Sequence, residues 1–276
     1  MSTATVTTGL TRPAPAPRAT VFRSTLEVAK RTVRKFVRTP QLVVVGTIQG
    51  ALFLLIFRYV FGGAIHPAGG VSYVDFLVPG YVVTSILFSG MGGAAGMAED
   101  LEQGFVDRLR SLPIRRAAVL AGRSLAETGL LTWSLLFTIT LGFAVGFRVH
   151  ADPLHVGAAF GLCVVYGFAF TWLFLLIGLV SGTAQAAQGM SMLVFPLTFV
   201  SSAYVPVNTM PGWLQPIAQH QPITYMVNTV RALCLGAHGH ALLPHATAHY
   251  LVPSLLWSAA LVLVFAPLAL WRFART

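Results

Sequence analysis

Apolar residues run along this chain in blocks of about twenty, separated by short polar or glycine- and proline-rich stretches. The blocks fall at about 42–61, 76–97, 128–147, 156–180, 187–207 and 250–271. A helix rising 1.5 Å per residue needs roughly 20 such residues to cross a hydrocarbon layer, so the pattern predicts six transmembrane helices. Ahead of them, residues 1–19 are rich in Thr, Ala and Pro and carry no apolar core, which reads as a disordered tail and not as a signal peptide. From Val21 to Arg38 the pattern changes. Val21, Phe22, Leu26, Val33, Phe36 and Val37 can share one helical side, while Arg23, Lys30, Arg31, Arg34, Lys35 and Arg38 dominate elsewhere. A basic amphipathic helix over 21–38, lying in the headgroup plane and ended by Pro40, fits this arrangement.

Composition agrees with a bilayer as solvent. Of 276 residues 55% are hydrophobic and 9% charged, against roughly a quarter charged in an ordinary soluble domain. The net charge of +10 does not point to nucleic acid, because the basic residues flank apolar blocks, where anionic lipid headgroups are the natural counter-charge. Cys163 and Cys234, one inside a span and one in a later loop, indicate neither a disulfide framework nor a metal cluster. Lys and Arg also set the orientation. Residues 1–41 carry eight, the 98–127 loop five and the C-terminal tail Arg272 and Arg275, so fifteen of eighteen fall on one side of the predicted spans. Both termini are thereby expected in the cytoplasm of a bacterial cell, with the chain in its inner membrane. Of the other three, Arg58 would lie near the far interface, where a long side chain can snorkel.

Two polar stretches carry the functional signal. In the 98–127 loop, Glu99, Asp100, Glu102 and Asp107 precede Arg108, Arg110, Arg115 and Arg116, while Leu101, Phe105, Leu109 and Leu112 recur at helical spacing until Pro113. Acidic residues first and basic residues last suit a helix dipole. A solvated loop beside a membrane accounts for the arginines alone; an ordered amphipathic helix is something a soluble partner can grip and push. Residues 208–235 are too apolar for a free loop, yet Pro211, Pro216 and Pro222 prevent one long helix. Two short helices dipping back into the interface, with Trp213 and Tyr225 at headgroup depth and the second framed by Pro222 and Gly236, satisfy the backbone; a simple external loop is the alternative. Arg231 would cap the carbonyls at the end of that second helix.

The run Glu99…Glu102-x-Gly104…Asp107-Arg108-Leu109-Arg110-Ser111-Leu112-Pro113-Ile114-Arg115-Arg116, followed by Gly122-Arg123, resembles the cytoplasmic loop of ABC type-two membrane permeases. The stretch from Tyr204 to Pro216, then Gln221 to Tyr225 and Arg231-Ala232-Leu233, is similar to the daunorubicin-resistance type of drug-export permease. The resemblance implies an all-α polytopic fold with an N-terminal interfacial helix and a re-entrant hairpin after the fifth span. It implies a dimer of such subunits, or a pair of paralogues, bound to two cytoplasmic ATPase domains on another chain, where ATP and Mg would sit. By that likeness Glu99, Glu102, Phe105, Asp107, Arg108, Arg110 and Pro113 would couple to the ATPase. The second and fifth spans would line the substrate path.

On the second span Ser85, Ser89 and Gly93 recur at four-residue intervals, and on the fifth Gln188, Met192, Phe195, Phe199 and Ser202 share one helical side. Helix packing explains both stripes; the alternative is a polarizable wall for an amphiphilic molecule. Lys30 and Lys35 are the only lysines and neither follows a glycine-rich turn, so no phosphate-binding loop is present. No catalytic or metal-binding set is expected. His238, His240, His245 and His249 cluster late, with His245 and His249 four apart, and they motivate a different class of hypothesis, a membrane-embedded lipid-modifying enzyme. Within the transporter class the runner-up cargo is a lipid-linked glycan or polysaccharide precursor.

Overall fold

A computed structural model describes residues 26, 29–30, 32–34, 40–104 and 116–275. The expected tail over 1–19, most of the expected interfacial helix over 21–38, and Phe105, Asp107, Arg108, Arg110 and Pro113 lie outside the described residues. The described residues before Pro40 are helical, and from Pro40 on the described residues form nine α-helices: α1 Pro40–Ile56, α2 Tyr73–Glu102, α3 Arg116–Ala144, α4 Pro153–Ser181, α5 Ala184–Met192, α6 Phe195–Phe199, α7 Gln215–His220, α8 Pro222–Leu235 and α9 Thr247–Arg275. Residues Phe57–Phe61 continue α1 as a π-helical turn.

Helix α2 is the axle of the fold. Ser72 caps it, accepting from Asp75 N at 3.1 Å, while the Ser72 hydroxyl donates to Asp75 Oδ2 at 2.7 Å. Asp75 Oδ1 also accepts from Arg148 N at 2.9 Å, which pins the α3–α4 connection to the same end. From Tyr73 to Leu87 every residue of α2 is buried, because α3, α4, α5 and α8 all pack against it. Its crossing with α4 is close: a Cβ at Gly178 would stand 2.5 Å from Ala94 O and 2.8 Å from Met97 Cβ. Helix α4 starts with Pro153 in its first turn and stops at Gly182, whose φ is +76°.

Four helices are long and apolar enough to cross a membrane, namely Tyr73–Glu102, Ala117–Ala144, Pro153–Ser181 and Thr247–Arg275; Ile48–Phe61 is a shorter apolar helix. In α9 only 17% of the most apolar window is buried, and Leu256, Trp257, Leu263, Val264 and Trp271 all lie exposed. A water-soluble protein does not present such a wall; lipid is its solvent. The expected span at 187–207 is not one helix. Pro196 has no N–H to give Met192 O and its ring crowds that carbonyl. The helix therefore ends at Met192, restarts as α6 and unwinds after Phe199. Beyond it lie a short 3-10 turn, Val207–Thr209, and the α7–α8 pair.

Candidate transport path and coupling region

The two ends of the charged loop meet through buried charges. Asp100, near the end of α2, is 3% exposed, and Arg123 and Glu127, one turn apart on α3, are 5% and 7% exposed. Arg123 Nε donates to Glu127 Oε1 at 2.8 Å, and its Nη1 donates to Asp100 Oδ2. Removing one partner from a buried set of this kind costs about 3–5 kcal/mol. Glu102 reaches a third element, accepting from Ala184 N at 3.3 Å at the start of α5. The neighbouring Glu99 accepts from Gln103 Nε2 at 3.1 Å. Arg123 and Asp100 were not singled out as site residues from sequence. Their signal is the lone Arg–Glu pair at i,i+4 set among Ala118, Val119, Leu120, Ala121 and Ala126.

The stripe on the fifth segment does not stay on one face. Gln188, Met192 and Phe199 are exposed, Phe195 is half-buried, and Ser202 is buried with its hydroxyl donating to Asn228 Oδ1 at 2.8 Å. Phe195 and Phe199 instead join an aromatic cluster. Their rings lie 5.0 Å apart, Phe195 stands 5.2 Å from Phe88 and 6.5 Å from Phe53, and Phe199 stands 5.3 Å from Tyr204. Tyr204 stacks on Phe57 at 4.5 Å. The cluster thus draws on α1, its π-turn, α2 and α6, with Phe199 at its open side. Ser85 is buried and spends its hydroxyl on Val82 O at 2.7 Å within its own helix. Ser89 lines a small cleft with Gly90, Gly93, Glu127, Leu131, Thr171, Phe174 and Leu175. That cleft belongs to α2, α3 and α4, so Ser89 and the phenylalanine pair serve different surfaces.

Arg231 does not cap its own helix. It is 1% exposed, and it gives Nε to Phe76 O at 3.2 Å, Nη2 to Phe76 O at 2.8 Å and to Ser202 O at 3.0 Å, and Nη1 to Asn228 Oδ1 at 3.1 Å. The guanidinium also lies 3.9 Å from the centre of the Phe76 ring. The physical reason is geometric: Gly236, at φ +53°, brings its own N–H back to Ala232 O, and a long planar donor is better used across to α2. The histidines separate into stacked pairs, His150 on His238 at 4.4 Å and His245 on His249 at 4.3 Å. Among the described residues no group of three or more His, Cys, Asp or Glu is placed to hold a metal. Cys163 and Cys234 are free thiols in the interior.

Comparison with known proteins bears on the whole of this arrangement. The chain is 33% identical over 256 residues to the daunorubicin resistance ABC transporter permease protein DrrB1 of Streptomyces coeruleorubidus, covering 92% of this chain and 87% of that one. It is 26% identical over 258 residues to the probable doxorubicin resistance ABC transporter permease protein DrrC of Mycobacterium tuberculosis, covering 91% and 89%. Over 215 residues it is 26% identical to the inner membrane transport permease YadH of Escherichia coli, covering 75% and 80%. Residues 23–235, from the basic segment to the end of α8 and so including both the buried charge cluster and Arg231, match the model of the ABC-2 type transporter, and the chain belongs to that family of membrane proteins.

Proposed function

We propose that this chain is the membrane-spanning permease subunit of an ATP-binding cassette exporter that moves hydrophobic or amphiphilic compounds, drugs or antibiotics among them, out of the cytoplasm or inner leaflet. The observation that carries the reading is the near full-length similarity to a daunorubicin resistance permease. In this reading α1 with its π-turn and the broken segment from Ala184 to Pro206 join the four long helices as six membrane-embedded segments, and the α7–α8 pair is the re-entrant hairpin on the outer side. Both termini face the cytoplasm, and 20–276 is one transmembrane domain. The chain hydrolyses nothing itself. ATP and Mg bind an ATPase on another polypeptide, which grips the loop around Glu99, Glu102, Phe105, Asp107, Arg108, Arg110 and Pro113. A second permease copy or a paralogue completes the path.

The open aromatic cluster built on Phe195 and Phe199 supports the choice of cargo. Offset and edge-on aromatic surfaces favour flat, apolar ring systems, and Gln188 and Met192, exposed on the preceding helix α5, add a hydrogen-bonding group and a polarizable side chain to the same segment. The test is purification in a mild detergent with its ATPase, reconstitution into liposomes and ATP-driven movement of doxorubicin followed by fluorescence. ATP-dependent transport that stops when the ATPase is inactivated is the expected result. Transport that persists, or a loop at 98–127 that maps to the external face, overturns the reading.

A further inference from the structure

The buried charges at the base of α2 and α3 sit where a force on the loop must enter the membrane-embedded helices. The loop between Glu102 and Arg116 has its two flanking helices joined immediately behind it, through Asp100 on one side and Arg123 on the other. Arg123 lies seven residues into α3, about 10 Å along the axis from its start, and grips Glu127 a turn further on. Space for this is built into α2: a Cβ at Gly96 would stand 2.6 Å from Arg123 Nη2. Two residues beyond Asp100, Glu102 holds the first N–H of α5. Helix α5 leads directly to the break at Leu193 and to the aromatic cluster.

We propose that Arg123 is a positioning residue that clamps the two ends of the cytoplasmic loop into one rigid lever, so that a push on the loop moves α2, α3 and, through Glu102, α5 together. This deepens the exporter reading and rests on it. Without the clamp the two ends of the loop can part, and a displacement of the loop is absorbed locally instead of reaching the broken segment. Packed side chains and hydrogen-bonded groups between rigid helices can carry such coupling.

The test reads motion, not substrate, so it does not depend on which compound is exported. A single cysteine is placed at Gln185, exposed in the first turn of α5 next to the Glu102 contact, in a chain carrying Cys163→Ala and Cys234→Ala, and the complex with its ATPase is reconstituted in liposomes. Labelling by a water-soluble maleimide is compared with and without ATP, alongside the rate of ATP hydrolysis per assembled complex. In the parent, ATP changes the labelling rate by about fivefold or more, the lower range of a typical coupling free energy. In Arg123→Gln that change disappears while hydrolysis per complex stays within about twofold, and Gly96→Val, which displaces the guanidinium without removing its charge, does the same. A merely structural role would lower the amount of assembled complex and leave the ATP-dependent change in the remainder intact. Retention of the full change in both variants overturns the clamp. A parent chain that binds no ATPase overturns instead the exporter reading on which it stands.

Discussion

Replacing Arg231 by Met tests whether the α7–α8 pair is held to the rest of the protein by one buried guanidinium. The side chain makes four hydrogen bonds, two of them to Phe76 O, one to Ser202 O and one to Asn228 Oδ1. Met keeps most of the volume and returns the desolvation cost of the cation, which by itself favours the variant. Not every acceptor is left stranded. Phe76 O keeps the helical partner that α2 supplies, and Asn228 Oδ1 keeps the Ser202 hydroxyl at 2.8 Å. Ser202 O loses its donor, at about 1–3 kcal/mol for a buried carbonyl, and the contact with the Phe76 ring goes with it, at about 1 kcal/mol. The net loss is about 2 kcal/mol for Arg231→Met, a fall in Tm on the order of 5 °C, and roughly twice that for Arg231→Ala, which adds a cavity. Thermal unfolding in detergent, followed by fluorescence-detected size exclusion, measures it. A Met variant as stable as the parent would refute the assignment of Arg231 as the tie between α8 and α2.

Two further predictions concern the loop and the helix crossing. Reversing Glu99, Glu102 and Asp107 to Lys leaves membrane insertion intact and uncouples ATP hydrolysis from transport by about tenfold or more; unchanged coupling in reconstituted vesicles would move the ATPase contact elsewhere. Gly178→Val sets a Cβ 2.5 Å from Ala94 O and 2.8 Å from Met97 Cβ and destabilises by about 1–3 kcal/mol or more, read as a lowered Tm and reduced yield of folded protein. Gly189→Val, which meets nothing within 4 Å, is the control and changes Tm little.

Period and length were enough to read the long helices, because a run such as residues 156–180 has no soluble alternative and α4 follows it over Pro153–Ser181. Helix α8 is similarly legible, since Pro222 presets its first turn and Gly236 supplies the positive φ beyond its end. What the pattern could not show is where polar side chains go once the backbone is folded. Arg231 is 79 residues from the nearest acidic residue, Asp152, and reaches carbonyls 155 and 29 positions away. Asp100 and Arg123 read as members of the charged cytoplasmic loop that a partner would grip, because helical spacing tells which residues share a face and not which faces turn inward. Ser202 looked like part of a stripe only on the assumption of an unbroken helix; once Pro196 and the turn after Phe199 interrupt it, the residue rotates into the interior.

That interruption raises the question of what holds a broken helix open in a membrane, where every unpaired carbonyl is costly. Pro196 starts the break, but Gln221 as donor and Thr224 as acceptor supply polar partners to it from the hairpin. Gln221, 9% exposed, gives Nε2 to Leu197 O at 3.0 Å and also to Val200 O. Thr224 accepts from Ser202 N at 3.2 Å, and Ser201 donates to Thr198 O at 2.5 Å. A break maintained by these contacts survives loss of the proline and not loss of the donor. Pro196→Ala is therefore expected to stay within about 1 kcal/mol of the parent, since alanine adopts the same φ without strain. Gln221→Leu preserves size but leaves the Leu197 and Val200 carbonyls without that amide, at about 1–3 kcal/mol, or a fall in Tm on the order of 5 °C. If the ranking were reversed, with Pro196→Ala the more damaging, the break would be written locally by the proline. The α7–α8 pair would then be a passenger and not the clasp that keeps the aromatic cluster open.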